Sequence, residues 1–344
     1  KKIWIFNIAK VFVKKIFITG GAGYVGCRLV KDLLEKNYFV TVYDAMHYSD
    51  KYLPKKKINL KIIKGDIRDT AKLKEHSINH DVFVHLACIS NDASFVLDEN
   101  LSKTVNFDCF EPMVKAAKEN KIKRFIYASS SSVYGVSDMK DVKEDHPLLP
   151  LTAYNKYKGL CEPILLKFAD DNFETVIFRP ATVCGYSPRM RFDLSVNILT
   201  CHAICNNKII VFGGDQLRPN LHIQDYSDCV QLLINENKNK VKKKIFNVGF
   251  QNLSIMNIAK IVKKELESNF NFQNIEIIKT ESNDNRSYHI NSDKIYNFLG
   301  FKPKFSIENA VHEITKCFRK NIFINTLENS IYHNVKTLKN NNVK

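Results

Sequence analysis

Residues 15–37 read KIFITGGAGYVGCRLVKDLLEKN. A short apolar run ends at a glycine, and the stretch beyond it has the apolar spacing of a helix. Gly20, Gly23 and Gly26 are spaced G-x-x-G-x-x-G between the two. Glycines at a strand-to-helix turn let the backbone bend tightly and approach a pyrophosphate, whose charge the helix N-terminus meets. Tyr24 and Val25 lie within this turn and count with it as cofactor-side residues.

Outward from this stretch a strand–helix rhythm continues. The run YFVTVYD (38–44) reads as a second strand ending at Asp44. A carboxylate there accepts hydrogen bonds from the ribose hydroxyls of NAD and repels a 2′-phosphate, so NAD is expected rather than NADP. LKIIKGD (60–66) and DVFVHLA (81–87) follow as strands. Asp66 and Ile67 end the third, where an adenine would rest, and Leu86 and Ala87 end the fourth beside the expected pyrophosphate. A long helical pattern spans 98–120, RFIYASS (124–130) reads as a fifth strand and FETVIFRP (173–180) as a sixth. Between them a helix is expected over 152–170, bent or weakened at Pro163. Continuous apolar strands alternating with helices predict a doubly wound parallel sheet covered on both faces, an α/β architecture with ligands beyond the carboxyl ends of the strands. After Pro180 the rhythm loosens into a smaller mixed region. The Asn- and Lys-rich stretch 319–344 reads as a poorly ordered tail.

The fifth strand ends in Ser130, and the following helix carries Tyr154 and Lys158. Residues at i and i+4 share a helix face. An ammonium beside a phenol lowers its pKa, and the positive nicotinamide of NAD lowers it further. A phenolate takes a proton from a sugar hydroxyl while hydride leaves to the nicotinamide, and a serine hydroxyl holds the same oxygen. Tyr157 competes on spacing alone, but its i+4 partner is Cys161, which supplies no charge.

Taken together, TGGAGYVG, YASSSSVYG, YNKYK and LRPNLHIQD resemble the extended short-chain dehydrogenase/reductase superfamily, within the NAD-dependent epimerase/dehydratase family acting on nucleotide sugars. The resemblance covers 14–316. It implies a Rossmann-like NAD domain over 14–186 and a mainly substrate-binding region over 187–318, partly interleaved with it. The extension 1–13 and the tail 319–344 lie outside. It implies the triad Ser130, Tyr154 and Lys158, nicotinamide-side contacts at Lys158 and Pro180, and Asn106 among the cofactor residues. Sugar 4,6-dehydratases of this family have Asp-Glu after the catalytic Ser/Thr; here Ser131 and Ser132 stand there. The serine form resembles 4-epimerases, with a net 4-ketoreductase, dehydrogenase or dehydratase as the alternative. A nucleotide-diphosphate sugar is the expected substrate. Arg218, Arg286 and Asn197 are matched to nucleotide or diphosphate contacts, and Ser131 is placed with the sugar. Pro219 and Asn220 depart from the family pattern after Arg218. Ser90, Asn91 and Asp92 either bond sugar hydroxyls or solvate a loop. Arg189 and Arg191 either bind an anion or form a solvated pair. A homodimer pairing the helices near 98–120 and 152–170 is implied as well.

Composition narrows the rest. Of 344 residues, 44% are hydrophobic and 26% charged, a globular balance. The net charge of +16 comes from lysines scattered along the chain, without the basic stripe of a nucleic-acid binder. A non-catalytic RNA-binding relative is thus the remote reading, and no nucleic-acid partner is expected. The nine cysteines show no repeated metal spacing. Cys201 and Cys205 in CHAIC fit one apolar helix face, so no metal is expected. Unpatterned cysteines suit a reducing, cytoplasmic compartment. No apolar run reaches the length of a membrane span. Residues 1–13 are basic and apolar but precede no small-residue cleavage site.

Overall fold

The computed structural model describes residues 14–55, 57–90, 92–95, 97–137, 141–281 and 287–341. Its strands are β1 (Lys15–Thr19), β2 (Phe39–Asp44), β3 (Leu60–Lys64), β4 (Val82–His85), β5 (Arg124–Ala128) and β6 (Glu174–Pro180). They continue as β7 (Thr182–Cys184), β8 (Lys208–Phe212), β9 (Leu217–His222), β10 (Lys244–Val248), β11 (Gln251–Ser254) and β12 (Glu276–Thr280). Seven of these form one sheet in the order β10-β6-β5-β4-β1-β2-β3, every pairing parallel. Side chains alternate across it. Ile16 and Ile18 enter the core on one face, with Val40, Val42 and Phe178. Phe17 enters the other, with Phe83, Phe125 and Tyr127. Both faces are covered, so each strand is apolar throughout, and this is the Rossmann-like α/β arrangement that the strand runs predict. Because β1 lies between β2 and β4, the chain leaves the carboxyl ends of β1 and β4 toward opposite sides. A crevice opens at that switch point.

The looser pattern beyond Pro180 has a structural cause: the chain passes back and forth between two layers. Strands β7, β9 and β11 form a small sheet and β8 pairs with β12. Helices Ser195–Asn206, Ile255–Phe270 and Ile307–Arg319 bury their apolar faces around this pair. Strand β10 and helix Ile223–Asn235 return to the main layer, where Val230 and Leu233 join Leu29 and Leu33 of helix Tyr24–Glu35 in one core.

Two segments differ from expectation. The helical pattern over 98–120 is split into Glu99–Lys103, a π-turn at Thr104–Asp108, and Phe110–Glu119. The wider turn re-aims Asn106, as such bulges do near functional sites. Of the stretch read as a tail, residues 319–341 are ordered: a 3-10 turn (Ser330–Tyr332) and a helix (Asn334–Asn340) lie against the body of the protein, with Phe323, Tyr332 and Leu338 buried. These apolar anchors outweigh the polar composition around them. Helix Ala153–Lys167 runs through Pro163 without ending. Among the described residues all nine cysteines are free, and no helix is long and apolar enough to cross a membrane.

Candidate active site

The glycine turn packs closely against its own chain. Gly20 has φ +78°, and a Cβ there would lie 2.5 Å from the backbone nitrogen of Ala87. Gly26 packs the helix onto the turn, since a Cβ would meet the Gly20 carbonyl at 2.4 Å. Gly20, Gly23, Tyr24 and Val25 line the crevice, whereas Gly26 does not and acts through helix packing alone. Replacement of Gly20 by Ala is therefore expected to lower stability by about 2 kcal/mol and to weaken dinucleotide binding, read by thermal melting and NAD titration.

Asp44, Asp66, Ile67, Leu86, Ala87 and Pro180 also line the crevice. Burial raises the Asp44 carboxyl, opposed by hydrogen bonds it accepts from the backbone N–H groups of Met46 (2.8 Å) and Ala22 (3.0 Å). Those bonds aim the carboxylate across the glycine turn. Asp66 is partly buried, which works against its charge, but the Arg68 guanidinium prevails and holds its carboxyl below the usual range, bonding Oδ2 at 2.6 Å. A dinucleotide therefore fits this donor set: a glycine cradle where no side chain is tolerated, a helix N-terminus, and a carboxylate at the ribose position. Asn106 is placed differently. Its Oδ1 accepts from the Ile89 N–H (2.8 Å) and its Nδ2 donates to the Ile89 carbonyl (2.9 Å), so the amide pins the loop after β4 and does not line the crevice.

A second cavity of about 450 Å³ adjoins the first. Ser90, Ser130, Tyr154, Ala181 and Arg191 line both. Lys158, one turn along the helix from Tyr154, lines the dinucleotide crevice, where its Nζ donates to the Ala128 carbonyl at 2.8 Å. The Ser130 hydroxyl lies in a short chain of hydrogen bonds. Ser132 Oγ gives its single proton to Asn155 Oδ1 (2.5 Å), so Ser130 Oγ is the donor toward Ser132 (2.7 Å). Sequence reasoning expects Lys158 to lower the phenol. In the folded protein burial prevails: it drives Tyr154 well above the usual phenol value, and Arg191 pulls it only partly back. The interior disfavours a phenolate until further positive charge arrives.

The second cavity also holds Ser131, Asp92 and Arg218. Asp92 Oδ1 accepts from Thr152 Oγ1 (2.5 Å), which caps the helix bearing Tyr154. Asn197 lines neither cavity; it is fully buried, accepts from the Gly185 N–H (3.0 Å) and donates to Tyr24 Oη (3.1 Å) and the Arg191 carbonyl (3.0 Å). It braces the loop after β7 against the glycine turn. Asn91 and Arg286 fall outside the described residues. Arg189 and Arg191 are not solvated: both are buried beside the crevice, with Arg191 Nε on Asp193 (2.8 Å). Tyr48, Asp193 and Asn334 complete this corner. Of these only the arginine pair carried a sequence signal, and alternating arginines look the same on a surface. Cys201 and Cys205 both meet the Thr326 hydroxyl (3.3 and 3.4 Å), the contact that joins their helix to the C-terminal segment.

Comparison with known proteins agrees with this fold. The model of the NAD dependent epimerase/dehydratase family matches residues 16–249. The dTDP-D-glucose 4,6-dehydratase of Homo sapiens is 28% identical over 326 residues, covering 90% of this chain and 91% of that protein. The UDP-glucose 4-epimerase of Lactobacillus helveticus is 26% identical over 324 residues, covering 84% and 92%. Among solved structures, the dTDP-glucose 4,6-dehydratase DesIV of Streptomyces venezuelae, with NAD and TYD bound, superposes with a TM-score of 0.80 at 19% identity. That match covers 91% of this chain and all of that one (100%).

Proposed function

Because this chain belongs to the NAD dependent epimerase/dehydratase family, we propose that it is a nucleotide-sugar 4-epimerase working through a transient 4-keto sugar. Its cofactor is NAD, which when bound accepts a hydride from the sugar carbon and later returns one. The crevice residues Gly20, Gly23 and Asp44 would hold it. The observation that carries the epimerase reading is the chemistry at the two positions after Ser130. Ser131 is buried, and the Ser132 hydroxyl is bonded to Ser130 and Asn155. Neither offers a carboxyl to shuttle the protons that elimination across C5 and C6 demands.

In this mechanism Tyr154, where the two cavities join, takes the proton from the sugar 4-hydroxyl and gives it back after the ring has turned. Ser130 turns its proton from Ser132 toward the same sugar oxygen and steadies the charge that develops there. Lys158 keeps positive charge beneath the phenol. Arg218 lies in the second cavity and serves the diphosphate of the nucleotide. The volume of that cavity, about 450 Å³, leaves space for a sugar ring to present its other face.

A second reading, 4,6-dehydration, is favoured by one observation. Asp92 lines the same cavity and could carry a proton that Ser131 and Ser132 cannot. A panel of UDP-, GDP-, dTDP- and CDP-sugars separates the readings. Inversion at C4 with unchanged mass and no net NADH is the expected result. Loss of one water supports the dehydratase instead, and net NADH turnover a reductase or dehydrogenase.

A further inference from the structure

Arg189 lines the dinucleotide crevice with Gly20 and Gly23, yet is only 1% exposed. Its guanidinium lies 3.9 Å from the ring centroid of Tyr48 and donates through one terminal nitrogen to Asn334 Oδ1 at 2.6 Å. Its Nε is buried without a partner. Among the described residues Arg189 forms no ion pair, because the nearby Asp193 is taken by Arg191. Burial, with Arg191 adding to it, brings the guanidinium down to about 10. A buried cation is ordinarily matched by an anion. The anion that belongs in this crevice is the diphosphate of a dinucleotide, seated at the N-terminus of helix Tyr24–Glu35.

Asn334 comes from the far end of the chain. Besides accepting from Arg189, it donates through Nδ2 to Ser90 Oγ (2.8 Å) and through its backbone N–H to Asp193 Oδ2 (3.0 Å). Further along, Leu338 packs with Ile89 and Leu101, and Asn341 Nδ2 donates to the His47 carbonyl (2.7 Å). The segment thus touches both rims of the crevice, the loop after β2 and the loop after β4.

We propose that residues 326–341 are a strap over the dinucleotide crevice, with Asn334 holding Arg189 against the diphosphate, so that these contacts govern how fast NAD leaves. This rests on the reading of the crevice as an NAD site. It adds to that reading a device built from this chain's own C-terminal segment.

The test is the rate of NAD release from the full chain, with freed NAD trapped as NADH by excess alcohol dehydrogenase and ethanol. Asn334→Ala is expected to speed release at least tenfold. Arg189→Met is expected to do the same and to weaken NAD binding at least tenfold, and Arg189→Lys to recover part of the loss. Asn334→Asp hands Arg189 a carboxylate of its own and is expected to release NAD faster too. The melting temperature of the NAD-free variants separates these effects from misfolding. Should a variant fail to fold, hydrogen–deuterium exchange of the unaltered protein decides: NAD is expected to slow exchange across 326–341, and no slowing overturns the strap. Release within twofold of the parent in Asn334→Ala also overturns it, and unchanged affinity in Arg189→Met overturns the assignment of that charge. The readout is blind to sugar chemistry. A protein that keeps NAD but makes no 4-epimer refutes only the proposed function, and one that epimerises while exchanging NAD freely refutes only the strap.

Discussion

Replacing Tyr154 by Phe is expected to cut kcat by about a thousandfold, the scale of removing a positioned general base, while leaving the fold and the bound NAD in place. The phenol lines both cavities. Among the described residues its oxygen makes no hydrogen bond to the protein, so the substitution removes the proton acceptor without orphaning a partner. Melting temperature and NAD content are expected to match the parent. The pH profile carries a second signature. Burial raises the Tyr154 phenol well above its usual value. A base acts in its deprotonated form, so kcat/KM should climb as pH rises toward that pKa, about tenfold per unit below it. Lys158→Met removes positive charge and should move the climb to still higher pH. Positive charge from bound NAD acts the other way, so the tyrosinate absorbance lost in the Phe variant should titrate at lower pH with NAD than without. If Tyr154→Phe kept more than about a tenth of the parental kcat, the proton route drawn through this residue would be wrong.

The parts of this site that can be read from sequence are those in which one residue type has one physical use. A glycine at φ +78° with a backbone nitrogen where its Cβ would be has few substitutes, so the turn after β1 announces itself. A carboxylate at the end of β2 and a Tyr–Lys pair one turn apart are placed at the crevice by the strand ends and the helix that carry them, which are themselves legible. Asn106 and Asn197 are not, because an amide serves a ligand and a backbone equally well. Asn106 spends its amide on backbone groups and Asn197 on backbone groups and the Tyr24 hydroxyl, and no local pattern distinguishes these uses from ligand binding. The arginine pair fails differently. Alternating arginines suggest a solvated edge, and only the distant Asn334, 145 residues further along the chain from Arg189, reveals that they are enclosed. The C-terminal segment shows the limit of composition as evidence. Its Asn and Lys content signals disorder, yet Phe323, Tyr332 and Leu338 suffice to anchor it where matching surfaces wait. Long-range complementarity of this sort is a property of the folded chain, not of any window in it.

Arg179→Met is expected to be the most destabilising of the substitutions considered, at about 3–5 kcal/mol. Arg179 and Glu162 are each 3% exposed at the side chain and meet through two parallel bonds, Nε to Oε1 at 3.0 Å and a terminal nitrogen to Oε2 at 2.6 Å. The same guanidinium donates to Tyr134 Oη (2.5 Å) and the Glu144 carbonyl (3.0 Å), and Ser129 Oγ donates to Glu162 Oε1 (2.6 Å). Methionine fills much of the volume but leaves a buried carboxylate with only the serine, together with a tyrosine and a carbonyl short of a partner. Since globular proteins hold only about 5–15 kcal/mol in reserve, the loss takes a large share of the total. The urea midpoint should fall with an unchanged slope. Adding Glu162→Leu to Arg179→Met removes the stranded charge and should recover much of the loss, because the penalty lies in the unpaired partner and not in the absence of the pair. Function should fall alongside stability. Ser129, which the pair holds, immediately precedes Ser130, so the double variant is expected to regain its midpoint while its kcat stays below that of the parent. If Arg179→Met shifted stability by less than about 1 kcal/mol, or if the double variant recovered full activity, this ion pair would have no part in fixing the end of β5 that carries Ser130.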